Sequence, residues 1–166
     1  MDCARQTITV GFASLHGPHL FHMREVERTA LVPYSPAQMF ALVADVERYA
    51  QFVPWVSGVE VIERGPDHIV ARMEMQRSGM RESFTTRNRL FPPHRMELSL
   101  VRGPFKTLEG LWTFDEIAGR GTQIGFSMRF EFANPLLSML LTKSFEKSCT
   151  QLVDAFVDWA RALHGK

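Results

Sequence analysis

Glu82 is the one acid that the alternation of its segment places on the same side as apolar neighbours, beside Met80 and Phe84. Burial there would raise its pKa and suit it to acid catalysis. The plainer use is an ion pair with an arginine, or a place near a strand end. His16, His19 and His22 recur at every third position, a set that could hold a transition metal on a helix. Gly17-Pro18 breaks any helix there, so no metal site is expected. Arg81, Arg87 and Arg89 form an alternate basic row that could meet ribosomal RNA phosphates. No aromatic stacking platform shares that face, and a solvated sheet surface is the commoner explanation. His68 and His94 neighbour turns and read as surface residues. No Gly-x-Ser-x-Gly, Ser-x-x-Lys or Walker loop occurs, and no paired carboxylates stand out. The chain is therefore not expected to be an enzyme, and no cofactor is expected.

The more telling residues are apolar. Thirteen Phe and nine Met stand against two Tyr in 166 residues, a balance that supplies volume without polar handles. Hydrophobic residues make up 45% and charged residues 22%, enough for one core under a wet surface. A net charge of +1 gives no global field for nucleic acid, and no DNA partner is expected. No apolar run approaches the roughly 20 residues that span a bilayer. Cys3 and Cys149 do not suggest a disulfide framework, which fits a reducing, cytoplasmic setting. Residues 1–22 show no sustained period and read as a loosely held extension; the periodic domain runs over 23–166. Arg5 and the scarcity of acid leave a transit-peptide reading of that extension open.

Elements that must position these side chains follow from spacing. A short strand is expected from Arg24 to Val32. Ser35, Pro36 and Gln38 then form a capping box that starts a helix carrying Met39, Phe40, Leu42 and Val43. Asp45 is expected to cap a second short helix that Pro54 stops. Six segments of period two follow, around Val59, Ile69–Met75, Met80–Asn88, Met96–Leu100, Leu108–Phe114 and Ile124–Phe132. The short separators between them, such as Gly65-Pro66-Asp67 and Arg102-Gly103-Pro104, require mostly antiparallel pairing. Asn134-Pro135 opens a last helix whose stripe is Leu141, Phe145, Cys149, Leu152, Phe156, Ala160 and Leu163. Gly165 ends it. Such a helix must bury its stripe on the sheet's apolar face, and a curved sheet around a helix leaves a space between them.

Four segments in this order resemble the coenzyme Q-binding and RatA-like proteins. They are Tyr49-Ala50-Gln51-Phe52-Val53-Pro54-Trp55, Phe84-Thr85-Thr86-Arg87-Asn88, Gly103-Pro104-Phe105-Lys106 and Leu108-Glu109-Gly110-Leu111-Trp112-Thr113-Phe114. The likeness runs from Met23 to about Leu163. It departs at Val56, where the family often has Cys, so no thiol role carries over. The resemblance implies an α+β START-like helix-grip fold: a curved antiparallel sheet around a long C-terminal helix, with two short helices after the first strand. It implies a deep apolar cavity for ubiquinone or a related isoprenoid quinone, as in carriers that support respiration. It also admits a RatA-like toxin that binds the large ribosomal subunit and blocks subunit association, and more remotely a polyketide cyclase or dehydratase. The candidate ligand-binding residues are Trp55, Met73, Met75, Phe84, Trp112, Phe126, Met128 and Phe130, with Leu141 and Phe145 on the facing helix. Leu136, Leu137, Met139, Leu140 and Leu141 exceed what one helix face can bury. Their surplus either meets a membrane, ligand or partner, which would make the protein peripheral to the inner membrane, or lies under the short helices.

Overall fold

The computed structural model describes residues 8–9, 23–77 and 79–165. Its elements are β1 (Ile8–Thr9), β2 (Arg24–Val32), α1 (Pro36–Ala44), α2 (Tyr49–Phe52), β3 (Val56–Arg64), β4 (His68–Arg77), β5 (Met80–Phe91), β6 (Arg95–Arg102), β7 (Phe105–Ile117), β8 (Gly121–Phe132) and α3 (Pro135–His164). From β2 onward this is the expected order, with one addition, a 3₁₀ turn over Val46–Arg48. Within the N-terminal extension, Ile8 and Thr9 pair with Arg28 and Glu27 of β2. The expectation of a loose extension otherwise lies outside the described residues, as do Cys3 and the three N-terminal histidines.

Local chemistry accounts for the helix ends. Ser35 Oγ accepts from the Gln38 backbone N–H at 3.2 Å, and Gln38 Oε1 accepts from the Ser35 N–H at 2.9 Å, so the capping box closes in both directions. Asn134 Oδ1 accepts from the Leu136 N–H at 2.8 Å at the start of α3. Asp45 does not act as expected: its carboxylate makes no cap bond and instead meets Arg48 at 3.2 Å. Gly165 follows the last turn in extended backbone, φ −76°, rather than the left-handed conformation. It is still the residue that fits, because a Cβ there would lie 2.5 Å from the Arg161 carbonyl oxygen.

The eight strands form one antiparallel sheet in the order β1-β2-β8-β7-β6-β5-β4-β3. The β2–β8 pairing joins the two ends of the domain, with Val26 opposite Met128. Side chains alternate as the period-two segments require: Ile69 and Ala71, Trp112 and Phe114, Ile124 and Phe126 all turn inward. Bulges in β3 at Val56/Gly58 and Val61/Glu63, and register breaks in β5 and β7, bend the strands and help the sheet curve.

Helix α3 lies on the inner face, but unevenly. Its close backbone neighbours are β2, β8, α1 and α2. At the β2 side, Arg28 reaches up from the buried face to Asp154 Oδ1 at 2.5 Å and also donates to the Thr150 carbonyl. Over β4, β5 and β6 the helix stands off, and that gap becomes the cavity. The stripe of α3 is close to the expected one, but Leu163 is exposed, Leu152 is half-buried, and Thr142, Ser148 and Val153 join the buried face.

Candidate functional site

The gap between α3 and the middle of the sheet is a narrow apolar chamber. β4 and β5 supply Met73, Met75 and Phe84, which face one another because Met73 registers opposite Phe84. β6, β7 and β8 supply Leu98, Trp112, Phe126 and Met128. Gly110, between Leu98 and Met128 in the ladder, leaves room for the Met128 side chain; a Cβ there would stand 3.1 Å from its Cε. α3 closes the chamber with Phe145, Ser148, Cys149 and Leu152, and the short helical segment adds Val46 and Tyr49.

An outer cleft adjoins the chamber and shares Met75, Phe84, Phe145 and Ser148 with it. Its own walls are Arg77, Met80, Glu82, Pro104, Phe105, Phe132, Leu141 and Ser144. Gly103 makes the wall close: a Cβ on it would lie 2.7 Å from Phe84 Cβ. Arg77 spans the cleft, donating to Ser148 Oγ at 2.7 Å and Gln151 Oε1 at 3.1 Å, with its guanidinium 5.4 Å from the Trp55 ring centre. Just outside, the first turns of α3 expose Leu136, Met139 and Leu140. The short helices do not cover them, which removes one of the two expectations for that cluster. Leu137 is half-buried against the core and is not part of the surplus.

Eight of the ten candidate ligand residues line the chamber: Trp55, Met73, Met75, Phe84, Trp112, Phe126, Met128 and Phe145. Leu141 borders the cleft. Phe130 lines neither; it is fully buried, edge-on to Phe145 at 4.6 Å, and belongs to the packed core. Glu82 sits in the cleft wall with Arg77 rather than in the chamber. Polar residues in the chamber were not singled out by sequence. Thr86 and Asn88 lie on the inner alternation of β5, and Thr86 Oγ1 donates to Asn88 Oδ1 at 2.9 Å. Tyr49, also buried, gives its hydroxyl proton to the Val43 carbonyl. Burial, reinforced by Asp45, pushes its pKa up. Cys149 faces the chamber, and burial, reinforced by Glu146, pushes its thiol up as well.

The basic row lies on the opposite, solvent face of the sheet, and each member has an acid from another strand, β4 for Arg81, β3 for Arg87 and β6 for Arg89. Arg81 lies 3.8 Å from Glu74, Arg87 4.0 Å from Glu63, and Arg89 3.6 Å from Glu97. His94 is exposed, but His68 is half-buried, its ring between Glu63 and Asp67 at 3.3 and 3.2 Å. Among the described residues no cluster of His, Cys, Asp or Glu could hold a metal, and no helix is long and apolar enough to cross a membrane.

A long helix gripped by a curved antiparallel sheet over an apolar chamber defines the START-like, helix-grip class. A solved structure of the same class, the Zhui aromatase/cyclase of a Streptomyces species, aligns at a TM-score of 0.77, with 22% identity over 86% of this chain and 97% of its own. At that identity it speaks for the fold alone. The family model for polyketide cyclase/dehydrase and lipid transport proteins matches residues 32–157. The ribosome association toxin RatA of Vibrio cholerae is 38% identical over 87% of this chain and its whole length. A Xenopus laevis mitochondrial coenzyme Q-binding protein, COQ10 homolog B, is 29% identical over 93% of this chain and 66% of its own. The chain therefore belongs to the polyketide cyclase/dehydrase and lipid transport family, in the branch of RatA-like and coenzyme Q-binding proteins.

Proposed function

We propose that this protein is a non-catalytic carrier that shelters an apolar lipid, of the isoprenoid quinone type, between its sheet and α3. The observation that carries this reading is the continuity of chamber, cleft and exposed apolar helix turn. A lipid tail gains roughly 25 cal/mol for each Å² it hides from water, so a lining of this kind needs no charged partner to hold it. Leu136, Met139 and Leu140 stand where a tail would leave, and they would touch the hydrocarbon of a membrane during exchange. The protein would then work as a peripheral partner of the inner membrane. Catalysis is not part of this reading, because the chamber holds no nucleophile with a base beside it; its one thiol is held protonated by burial.

A polar group placed midway along the chamber tests the reading. In Met128→Gln an amide would meet the ligand's hydrocarbon without a partner. Folded Met128→Gln protein should bind a ubiquinone analogue about tenfold more weakly than the parent. Equal affinity would remove the chamber as the binding site.

The second reading is ribosome association with the large subunit, favoured by the name and full-length match of the Vibrio cholerae relative. Its natural surface is the arginine row, but those arginines are already matched by carboxylates. Salt-sensitive co-sedimentation with large subunits, lost in Arg87→Ala with Arg89→Ala, would favour it over the carrier.

A further inference from the structure

Asn88 is an unexpected residue for the wall of an apolar chamber. The residue is 3% exposed, its cross-strand neighbours are Ile69 and Leu98, and it lines the chamber together with Trp112. One end of its amide is used, since Oδ1 accepts from Thr86. The other end, Nδ2, has no partner among the described residues and borders the empty space. Nδ2 is not sealed in packing but opens on the chamber, where it can meet an acceptor; an aliphatic side chain at this place could not. Thr86 in turn holds the amide in place, its hydroxyl donating to Oδ1 at 2.9 Å.

We infer that Asn88, oriented by Thr86, is the polar anchor of the chamber: it donates an amide N–H to a carbonyl oxygen on an otherwise apolar ligand. This rests on the carrier reading above and adds the ligand's chemistry and direction to it. The ligand enters carbonyl end first. Its hydrocarbon runs past Phe84 and Met75, which chamber and cleft share, and leaves beside Leu141 toward the exposed turn of α3. Arg77 is not the anchor of the chamber, since it lies in the wall of the outer cleft, where it donates to Ser148 and Gln151.

The test compares two probes of similar tail, a decyl-substituted benzoquinone and decylbenzene, on the full chain. Binding is read by tryptophan emission, because Trp55 and Trp112 line the chamber. Asn88→Leu should weaken the quinone about tenfold, the worth of one buried hydrogen bond, and leave decylbenzene as tight or tighter. Thr86→Val keeps the amide but frees its orientation, and should weaken the quinone about threefold with decylbenzene unchanged. It carries the comparison if Asn88→Leu does not fold. Equal losses for both probes would show that Asn88 only shapes the chamber, and unchanged affinity for both would show that the amide meets solvent. Either result overturns the anchor and leaves the carrier standing. If neither probe binds the parent protein, anchor and carrier fall together.

Discussion

The two halves of α3 carry the same apolar period and do different work. In the C-terminal half, Val153, Phe156 and Ala160 are fully buried. Phe156 lies 5.1 Å from each of the Tyr49, Phe52 and Trp112 rings, and the helix rests on α1, α2 and β2. In the N-terminal half, Phe145 and Leu141 look onto the chamber and cleft, and Leu136, Met139 and Leu140 face outward. One half holds the domain together, while the other has apolar surface that the domain leaves unburied. The difference comes from what lies opposite. The short helices fill the space at one end, and nothing among the described residues fills it at the other.

Changes in the closed half should therefore act on stability. Phe156→Ala should cost about 3–5 kcal/mol in chemical denaturation, because three rings cannot collapse into the hole. A loss below about 1 kcal/mol would mean the closed half is looser than its packing shows. Asp154→Ala should come next, at about 2–3 kcal/mol, since it leaves the Arg28 guanidinium in the core without its carboxylate. Arg28→Met should cost less, because Asp154 is half-exposed and can rehydrate. The reverse order would show that the pair contributes through its charge on the surface side.

Cys149 lies at the boundary between the halves, and its titration reports on the chamber. Burial raises its folded pKa above the unfolded value, so the folded state keeps the proton longer. Its contribution to stability is complete below the unfolded pKa of about 8.5 and is lost as pH rises beyond it. The stability of the parent should fall above about pH 8.5, before the buried Tyr49 adds its own loss near pH 10, and Cys149→Ala should flatten that first decline. Thiol labelling of Cys149, read in Cys3→Ser protein, should be slow and should slow further with ligand bound. Rapid labelling would mean the chamber is open to water.

In the open half, Leu136→Ser with Met139→Ser and Leu140→Ser should change stability by less than about 0.5 kcal/mol per site while reducing flotation with liposomes. Unchanged flotation would assign membrane contact elsewhere. Arg87→Ala with Arg89→Ala should have the smallest effect, within about 0.5 kcal/mol for exposed pairs, and should leave lipid binding untouched.

Much of this was legible in the sequence. Strand and helix order followed from period and caps, and the turns fell at the Gly and Pro separators, because each is decided by neighbours a few residues away. Eight of ten candidate residues reached one chamber for the same reason: alternation fixes which face a side chain takes. Alternation does not fix depth. Phe130 shares its face with Phe126 and Met128, yet it lies under Phe145 in solid packing. Nor could spacing show that Arg28, on an inner-face position, finds Asp154 more than a hundred residues later. The failed cap at Asp45 was a choice between two local partners, and Arg48 took the carboxylate.

In the carrier reading, the open half of α3 and the sheet enclose a lipid. Native mass spectrometry of the full chain, purified from its own host without detergent, tests it most directly. A population heavier by one neutral lipid is expected, released by gentle activation and absent in Met128→Gln. A bare mass, with no extractable lipid, from protein that sediments with ribosomal large subunits would contradict it.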